Sequence, residues 1–233
     1  MNKQTHSPPF SAAKVEIEQT LPSGLSFQAV LDGRRAVYLP ESARLLVTDL
    51  HWGKGETFRR HGIPIPQAVL QTDLARLSSL LDDYQPKRLI ILGDLIHGPT
   101  GLTDALNQQI IDWRAEHAGE ITLVAGNHDR CIERVATLWD IEVIREVLVE
   151  SPFSFSHHPE ARENSFNWSG HVHPTIRLSS PTDTLRLPCF YFTVTGATLP
   201  AFSEFTGGYN IQPESKDRVY ALSEGQVIPI GIL

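Results

Sequence analysis

The segment 88-RLIILGD-94 is an apolar run that ends in an aspartate, and similar runs precede and follow it at 44-RLLVTDL-50 and 121-ITLVAG-126. Nearly continuous apolar character is typical of strands that are buried on both faces. The intervening residues 67–81 and 102–117 carry apolar side chains at helical spacing. This β-α-β-α-β order predicts three parallel strands joined by right-handed crossovers.

Shorter strands are predicted on either side of this centre. The preceding residues read as three antiparallel strands separated by turns: VEIEQT, SFQAVL and RAVYL. After about residue 140 the strand pattern returns in IEVIREVLV, FSFSH, FNWSGH, TIRL, LRLPCFYFTV, RVYAL and QVIPIGIL. We expect a flexible leader over residues 1–13 and a single domain over 14–233. In this α/β (mixed α+β) domain two mixed sheets pack face to face with helices outside.

Composition excludes several classes of protein. The chain has 233 residues, of which 41% are hydrophobic and 20% charged, values that are typical of a globular protein and unlike a disordered one. No apolar run is long enough for a membrane span, and the start lacks a signal-peptide core. These features predict a cytoplasmic protein with no membrane partner. The net charge of -7 argues against a broad basic surface for nucleic acid but allows a local phosphate site.

Potential metal ligands follow each central strand and recur later in the chain. They are Asp49 and His51, Asp94, Asn127 and His128, His157 and His158, and His171 and His173. Parallel strands present their carboxyl ends at one edge of a sheet, where ligands of open α/β sheets bind. We therefore expect these groups to converge.

The chemistry of this set indicates two metal ions. Imidazole and carboxylate ligands without thiolate suit manganese, iron, zinc or nickel and argue against a zinc finger. So many ligands exceed the needs of one tetrahedral ion and fit two ions that share a bridging group. Asp94, on the middle strand, is the expected bridge because a carboxylate has two oxygens.

The order of these motifs resembles the calcineurin-like metallophosphoesterases. Asp-X-His, Gly-Asp, Gly-Asn-His-Asp, a further His and Gly-His-X-His all occur between residues 49 and 173. DLHWGKG at 49–55, TFRRHGIPIP at 57–66 and LPAFSEFTGG at 199–208 narrow the resemblance to the bacterial ligase-associated DNA-damage-response phosphoesterases. The resemblance covers roughly 43–209 and implies a four-layer αββα sandwich.

The resemblance also implies roles for individual residues. One metal would be held by Asp49, His51, Asp94 and His173, and the second by Asp94, Asn127, His157 and His171. His157 is favoured over its neighbour His158 because the family ligand lies two residues before a proline. His128 would be the general acid or a phosphate contact, oriented by Asp129.

Further positions carry two readings each. His97 stands where many members of the superfamily have aspartate. It either contacts the metal ligands and supports them without binding metal itself, or is an ordinary histidine. The same supporting role is expected for His158. Arg59 and Arg60 follow the first motif and would contact substrate phosphate through at least one guanidinium; otherwise they are solvated charges.

The resemblance implies a phosphodiesterase that uses two divalent ions, with manganese expected, and a metal-activated hydroxide. The expected substrate is a phosphodiester, with single-stranded DNA favoured, in a DNA-repair endonuclease that works with DNA ligase, nuclease or helicase proteins. A phosphoesterase for small nucleotides or other organic phosphates is the alternative. A non-catalytic scaffold is disfavoured because every ligand position is filled. The sequence leaves the oligomeric state open, with a homo-oligomer allowed.

Overall fold

The computed structural model describes residues 12–63, 68–180, 182–204 and 206–231, which form two mixed β-sheets and three α-helices. Of the expected leader at 1–13, residues 1–11 lie outside the described part of the chain. The expected pair of mixed sheets is confirmed.

The first sheet contains every strand that the structure describes up to residue 144. In spatial and chain order these are β1 (Lys14–Thr20), β2 (Ser26–Asp32), β3 (Ala36–Leu39), β4 (Arg44–Val47), β5 (Arg88–Ile91), β6 (Glu120–Val124) and β7 (Glu142–Ile144). The strands β1 to β4 pair antiparallel, and β4 to β7 pair parallel, as the sequence predicts for the first three strands and for the centre. The carboxyl ends of β4, β5 and β6 therefore lie at one edge, called the site edge below.

The helices α1 (Lys54–Arg60), α2 (Val69–Tyr84) and α3 (Asp104–Glu116) all precede β6 within the described residues. Leu77 of α2 and Ile110 of α3 pack with Leu45 of β4 in the cluster on the outer face of the first sheet. Thr103 caps α3 because its side chain accepts a hydrogen bond from Leu106 N. The two longer helices were predicted; α1 was not.

The second sheet follows along the chain. It comprises β8 (Leu148–Glu150), β9 (Phe153–Phe155), β10 (Phe166–Ser169), β11 (Pro174–Ser179), β12 (Thr184–Phe192), β13 (Gly196–Thr198), β14 (Tyr209–Asn210), β15 (Arg218–Ser223) and β16 (Gln226–Ile230). The order is β14-β11-β12-β13-β10-β9-β8, and β15 pairs with both β12 and β16.

The prediction of one strand over 141-IEVIREVLV-149 is wrong. The chain leaves the first sheet after β7 and enters the second at β8, so that the run is split between the two sheets. Arg88 holds the crossing, since its guanidinium donates to Glu142 at 2.8 Å and to Glu150 at 2.7 Å. The apolar pattern is similar in both halves of the run, and the sequence therefore does not reveal the change of sheet.

The main core lies between the two sheets. Leu46, Ile90 and Leu92 of the first half pack in one cluster with aromatic side chains of the second half, among them Trp168 and Phe190. Burial of each such side chain contributes about 1.5–3 kcal/mol. The outer face of the second sheet carries a small cluster of Cys189, Ile211 and Val219. Among the described residues, no helix is long and apolar enough to cross a membrane.

Candidate metal centre

The predicted ligands meet at the site edge, and both sheets contribute. Asp49 and His51 follow β4, Asp94 follows β5, and Asn127 follows β6. The second sheet supplies His157 after β9 and two histidines, His171 and His173, after β10. The centre therefore depends on how the two sheets are packed.

Asp49, His51 and His173 form the first group. One ligand atom from each lies within 4.8 Å of the others. His173 Nε2 is 3.1 Å from Asp49 Oδ1, and the other ring nitrogen of His173 is held by the Gly207 carbonyl at 2.9 Å. Thr48 adds a hydroxyl that donates to Asp49 Oδ2 at 2.8 Å.

Asn127, His157 and His171 form the second group. His157 Nε2 lies 3.1 Å from Asn127 Oδ1 and 3.2 Å from His171 Nδ1. Its Nδ1 donates to the Leu92 carbonyl at 2.9 Å, so that the ring in its neutral form has its proton at Nδ1 and its lone pair at Nε2. This tautomer is the one that a metal ligand at Nε2 requires.

Asp94 lies between the two groups. Its Oδ2 is 3.9 Å from His51 Nε2, and its Oδ1 is 3.4 Å from His157 Nε2. Each carboxylate oxygen therefore faces a different group, which is the arrangement that a bridging ligand needs.

The electrostatics keep Asp94 ionised. Burial would raise the pKa of Asp94, but the hydrogen bond and the charge of His157, together with the His128 amide, lower the pKa to about 2. Burial likewise opposes protonation of His157, yet the hydrogen bond and charge of Asp94 outweigh it and raise the pKa of His157. The pair is thus held together by its charges.

The surroundings of His51 indicate whether the pocket suits a cation. Both ring nitrogens are buried, and neither has a hydrogen-bond partner among the described residues. Burial lowers the pKa of His51 to about 3, so the ring is neutral with a free lone pair. Buried polar atoms normally have partners, and a neutral imidazole is the form that binds metal. The pocket therefore fits a divalent cation at this position.

His128 stands at the mouth of the centre. Its side chain is 38% exposed, and its Nε2 is 3.9 Å from Asp94 Oδ2. Its Nδ1 donates to the His97 carbonyl at 3.0 Å, and its ring stacks on that of His97 at a centroid distance of 5.3 Å. Nε2 is left facing the pocket, where a proton could be given to a substrate.

The expected orientation of His128 by Asp129 is not made through a direct hydrogen bond between the two side chains. Asp129 is fully buried, and its two oxygens accept hydrogen bonds from Ile96 N at 3.0 Å and Gly126 N at 2.8 Å. Burial raises the pKa of Asp129 to about 6. The residue closes the loop that carries Asn127, and the His97 main chain orients His128 instead.

The structure places His97 and His158, the two histidines expected to support the ligands, in different surroundings. His97 contacts both His51 and His128 through its ring and has a buried Nδ1 with no partner among the described residues. His158 is exposed and lies against the ring of His171 at 3.9 Å. His157, and not His158, faces Asp94.

The two arginines have different surroundings, and a contact of either one with substrate phosphate stays a prediction. Arg59 and Arg60 end helix α1, where Arg59 Nη2 pairs with Glu56 Oε2 at 2.6 Å. Arg60 is exposed. Arg59 lines the same cavity as His51, and Arg60 is not among the residues that line it.

The sequence does not reveal how closely the ligand side chains approach two glycines of the site. A Cβ atom on Gly93 would lie 2.1 Å from His157 Nδ1, and one on Gly126 would lie 2.3 Å from Asp94 Oδ1. Only glycine permits these approaches. The glycines of the two motifs are visible in the sequence, but the side chains that they admit are not.

Comparison with known proteins gives the context of this arrangement. The family model described as calcineurin-like phosphoesterase matches residues 44–188. The structure is similar to that of Pseudomonas putida nuclease MPE, with a TM-score of 0.78 and 34% identity over 93% of this chain and 100% of that chain. A weaker similarity, with a TM-score of 0.40 and 14% identity, relates 78% of the chain to 88% of the Escherichia coli phosphoesterase Yfce. No curated protein matches the sequence significantly.

Proposed function

The chain belongs to the calcineurin-like phosphoesterase family and is a hydrolase of phosphoester bonds, and we propose that it is a manganese-dependent phosphodiesterase that cleaves single-stranded DNA. The observation that carries this proposal is the placement of Asp94 between two ligand groups at the site edge. The similarity over nearly the whole chain to a protein described as a nuclease supports a nucleic-acid substrate.

The proposed ligand sets follow the two groups. Asp49, His51, Asp94 and His173 would hold one ion, and Asp94, Asn127, His157 and His171 the other. Two divalent cations would polarise the phosphodiester and lower the pKa of the attacking water. The two carboxylates leave the loaded centre cationic, so that an anionic diester is attracted despite the acidic protein.

His128 supplies the proposed proton to the leaving alkoxide. Because the His97 carbonyl fixes the Nδ1 proton, the second proton of the imidazolium is at Nε2, which faces the pocket. A positioned acid contributes roughly 10²–10⁴-fold to the rate. The effect is largest when the leaving group is a poor one, such as a deoxyribose oxygen.

A role in DNA repair, together with DNA ligase, nuclease or helicase proteins, is proposed on the motif resemblance alone. The second candidate function is hydrolysis of a small nucleotide or other organic phosphate. The open position of His128 beside the centre is compatible with both substrates.

Metal analysis and a substrate panel test the proposal. The purified protein should bind close to two manganese ions per chain. Asp94→Asn should lose both, because one bridge serves both groups, whereas His117→Ala, which alters a histidine between α3 and β6, should lose neither. Retention of two tightly bound ions by Asp94→Asn would contradict the shared bridge.

The panel compares bis-p-nitrophenyl phosphate, p-nitrophenyl phosphate and single-stranded DNA. We expect the diester and DNA to be cleaved faster than the monoester. His128→Ala should keep its metal but lose roughly 10²-fold or more in turnover on DNA, and less on the activated diester. Rapid monoester cleavage with intact DNA would favour the small-phosphate function.

A further inference from the structure

The hairpin formed by β11 and β12 extends past the site edge. Ser169, at the carboxyl end of β10, pairs with Thr198, and Thr198 pairs with Tyr191 of β12. The part of β12 from Thr184 to Pro188 lies beyond this level and pairs with β11. The hairpin begins directly after the candidate ligand His173, so that it extends from the metal centre itself.

Two arginines lie directly opposite each other on this hairpin. Arg177 of β11 is in register with Arg186 of β12, and both are exposed. Like charges at directly opposite positions destabilise an antiparallel pair. Within the described residues neither guanidinium has a hydrogen bond or an ion pair with the protein. The only carboxylate of the hairpin, Asp183, is at the turn and accepts a hydrogen bond from Thr184 N.

The arginine pair lies on the inner side of the hairpin. Side chains alternate along a strand, so Arg186 shares a face with Phe190, which packs in the core between the two sheets. The opposite face carries Ile176, which packs with Cys189 on the outer side of the second sheet. The two cations therefore continue the face that is turned toward the first sheet and the site edge.

We propose that Arg177 and Arg186 bind the phosphate backbone of a single-stranded nucleic acid a short distance from the bond that is cut. Arg177 is four residues from His173, which in a strand is about 13 Å. A planar guanidinium is suited to phosphate oxygens, and a bound polyanion would relieve the repulsion within the pair. This inference rests on the proposed function, because it assigns the pair to the substrate of that site.

Binding to a labelled single-stranded oligonucleotide tests the proposal. The Mn-loaded His128→Ala protein serves as the background, so that cleavage does not disturb the measurement. Adding Arg177→Ala and Arg186→Ala should weaken binding roughly tenfold or more. If the variant loses contacts to two phosphates, the slope of log affinity against log salt should become shallower by about 1.4. Each phosphate contact on a single strand contributes about 0.7 to this slope.

The double variant Lys87→Ala, Lys216→Ala is the matched control. It removes the same charge, but Lys87 directly precedes β5 at the edge opposite the site, and Lys216 precedes β15. Its affinity and salt slope should stay near those of the background. If the arginine variant behaves like this control, the hairpin does not bind the strand, and an acidic protein partner becomes the explanation for the pair.

Two further measurements, the melting temperature and the hydrolysis of a small diester, distinguish a binding role of the arginine pair from a structural one. Otherwise wild-type protein with both arginines replaced should hydrolyse bis-p-nitrophenyl phosphate normally and melt no lower than wild type, because a repulsive pair is removed. A lower melting temperature together with lost diester hydrolysis would overturn the proposal. If wild type cleaves no DNA while the binding difference persists, the nuclease function fails and the hairpin assignment stands.

Discussion

Five of the seven proposed ligands have a left-handed backbone. The φ angles of Asp49, His51, Asp94, His171 and His173 lie between 48° and 67°. This conformation costs roughly 1–2 kcal/mol for a residue with a Cβ atom, although aspartate and histidine tolerate it better than most. Such strain persists only where the surroundings enforce it, and it is concentrated at functional sites. No feature of the sequence reveals it, because these residues are not glycines.

Gly126 permits the close approach of Asp94, because it has no Cβ atom. We expect Gly126→Ala to displace Asp94, because the new methyl group would lie 2.3 Å from Asp94 Oδ1. Manganese affinity and diester hydrolysis should both fall at least tenfold. Gly119→Ala is the control, since a Cβ there meets no atom within 4 Å. Equal metal affinity in the two variants would show that the loop adapts to the methyl group.

Asp73 gives a prediction about pH. Burial raises its pKa to about 6, although the charge of Arg76 opposes the shift. A carboxyl whose pKa is higher in the folded than in the unfolded state stabilises the fold below about pH 4, and this contribution is lost as the pH rises through 6. The free energy of unfolding is measured for wild type and for Asp73→Asn in the presence of a chelator. Between pH 4 and pH 7 the wild-type value should fall by about 3 kcal/mol more than that of the variant. Parallel pH profiles of the two proteins would contradict this assignment.

At the level of elements, the segment 199–204 supports the first ligand. Phe202 N donates to the Thr48 carbonyl at 2.8 Å, and Ser203 N donates to the Asp49 carbonyl at 3.3 Å. Arg76 fixes this segment from α2 by donating to the Phe202 carbonyl at 2.6 Å. A helix on the outer face of the first sheet thus acts on the metal centre through one guanidinium.

We expect Arg76→Met to be strongly destabilising. The variant leaves Asp73 buried without its partner, and breaking a buried pair from one side costs about 3–5 kcal/mol. Denaturant unfolding should show this loss, and metal affinity should fall with it. Adding Asp73→Asn should restore much of the stability. If the double variant is as unstable as the single one, packing on the Phe202 ring, which lies 4.3 Å from the guanidinium, is the main contribution.

The sequence predicts most strands and both longer helices of this fold, and it misses α1, β13 and β14. The central parallel strands show continuous apolar runs, and the two longer helices show a helical period. Helix α1 has seven residues with Gly55 near its start, and β14 has two residues, so neither shows a pattern. The same limit applies at the site. Strand ends predict which side chains converge, but the carbonyl of His97 that orients His128 has no signature in a side chain.

For the whole molecule, the two sheets share one core, and we propose a single domain over 14–233 on that ground. The first sheet supplies four of the seven proposed ligands and the second supplies three. Bound metal should therefore stabilise the packing of one sheet on the other.

Removal of metal tests this coupling. A ligand at 100 times its dissociation constant stabilises a fold by about 2.7 kcal/mol, so chelation should lower the melting temperature. Asp94→Asn should melt at the same temperature with and without manganese, and His117→Ala should keep the full response. A manganese response in Asp94→Asn equal to that of wild type would indicate binding elsewhere.

The single crossing between β7 and β8 divides the chain into two consecutive halves, each with one complete sheet. A cut within residues 145–147 would yield two polypeptides, neither of which carries a full set of ligands for either ion. Their reassociation would bury the apolar faces and complete the ligand sets in one event. Manganese would then promote the association of the two fragments. A split form of this enzyme would therefore report on the concentration of free metal.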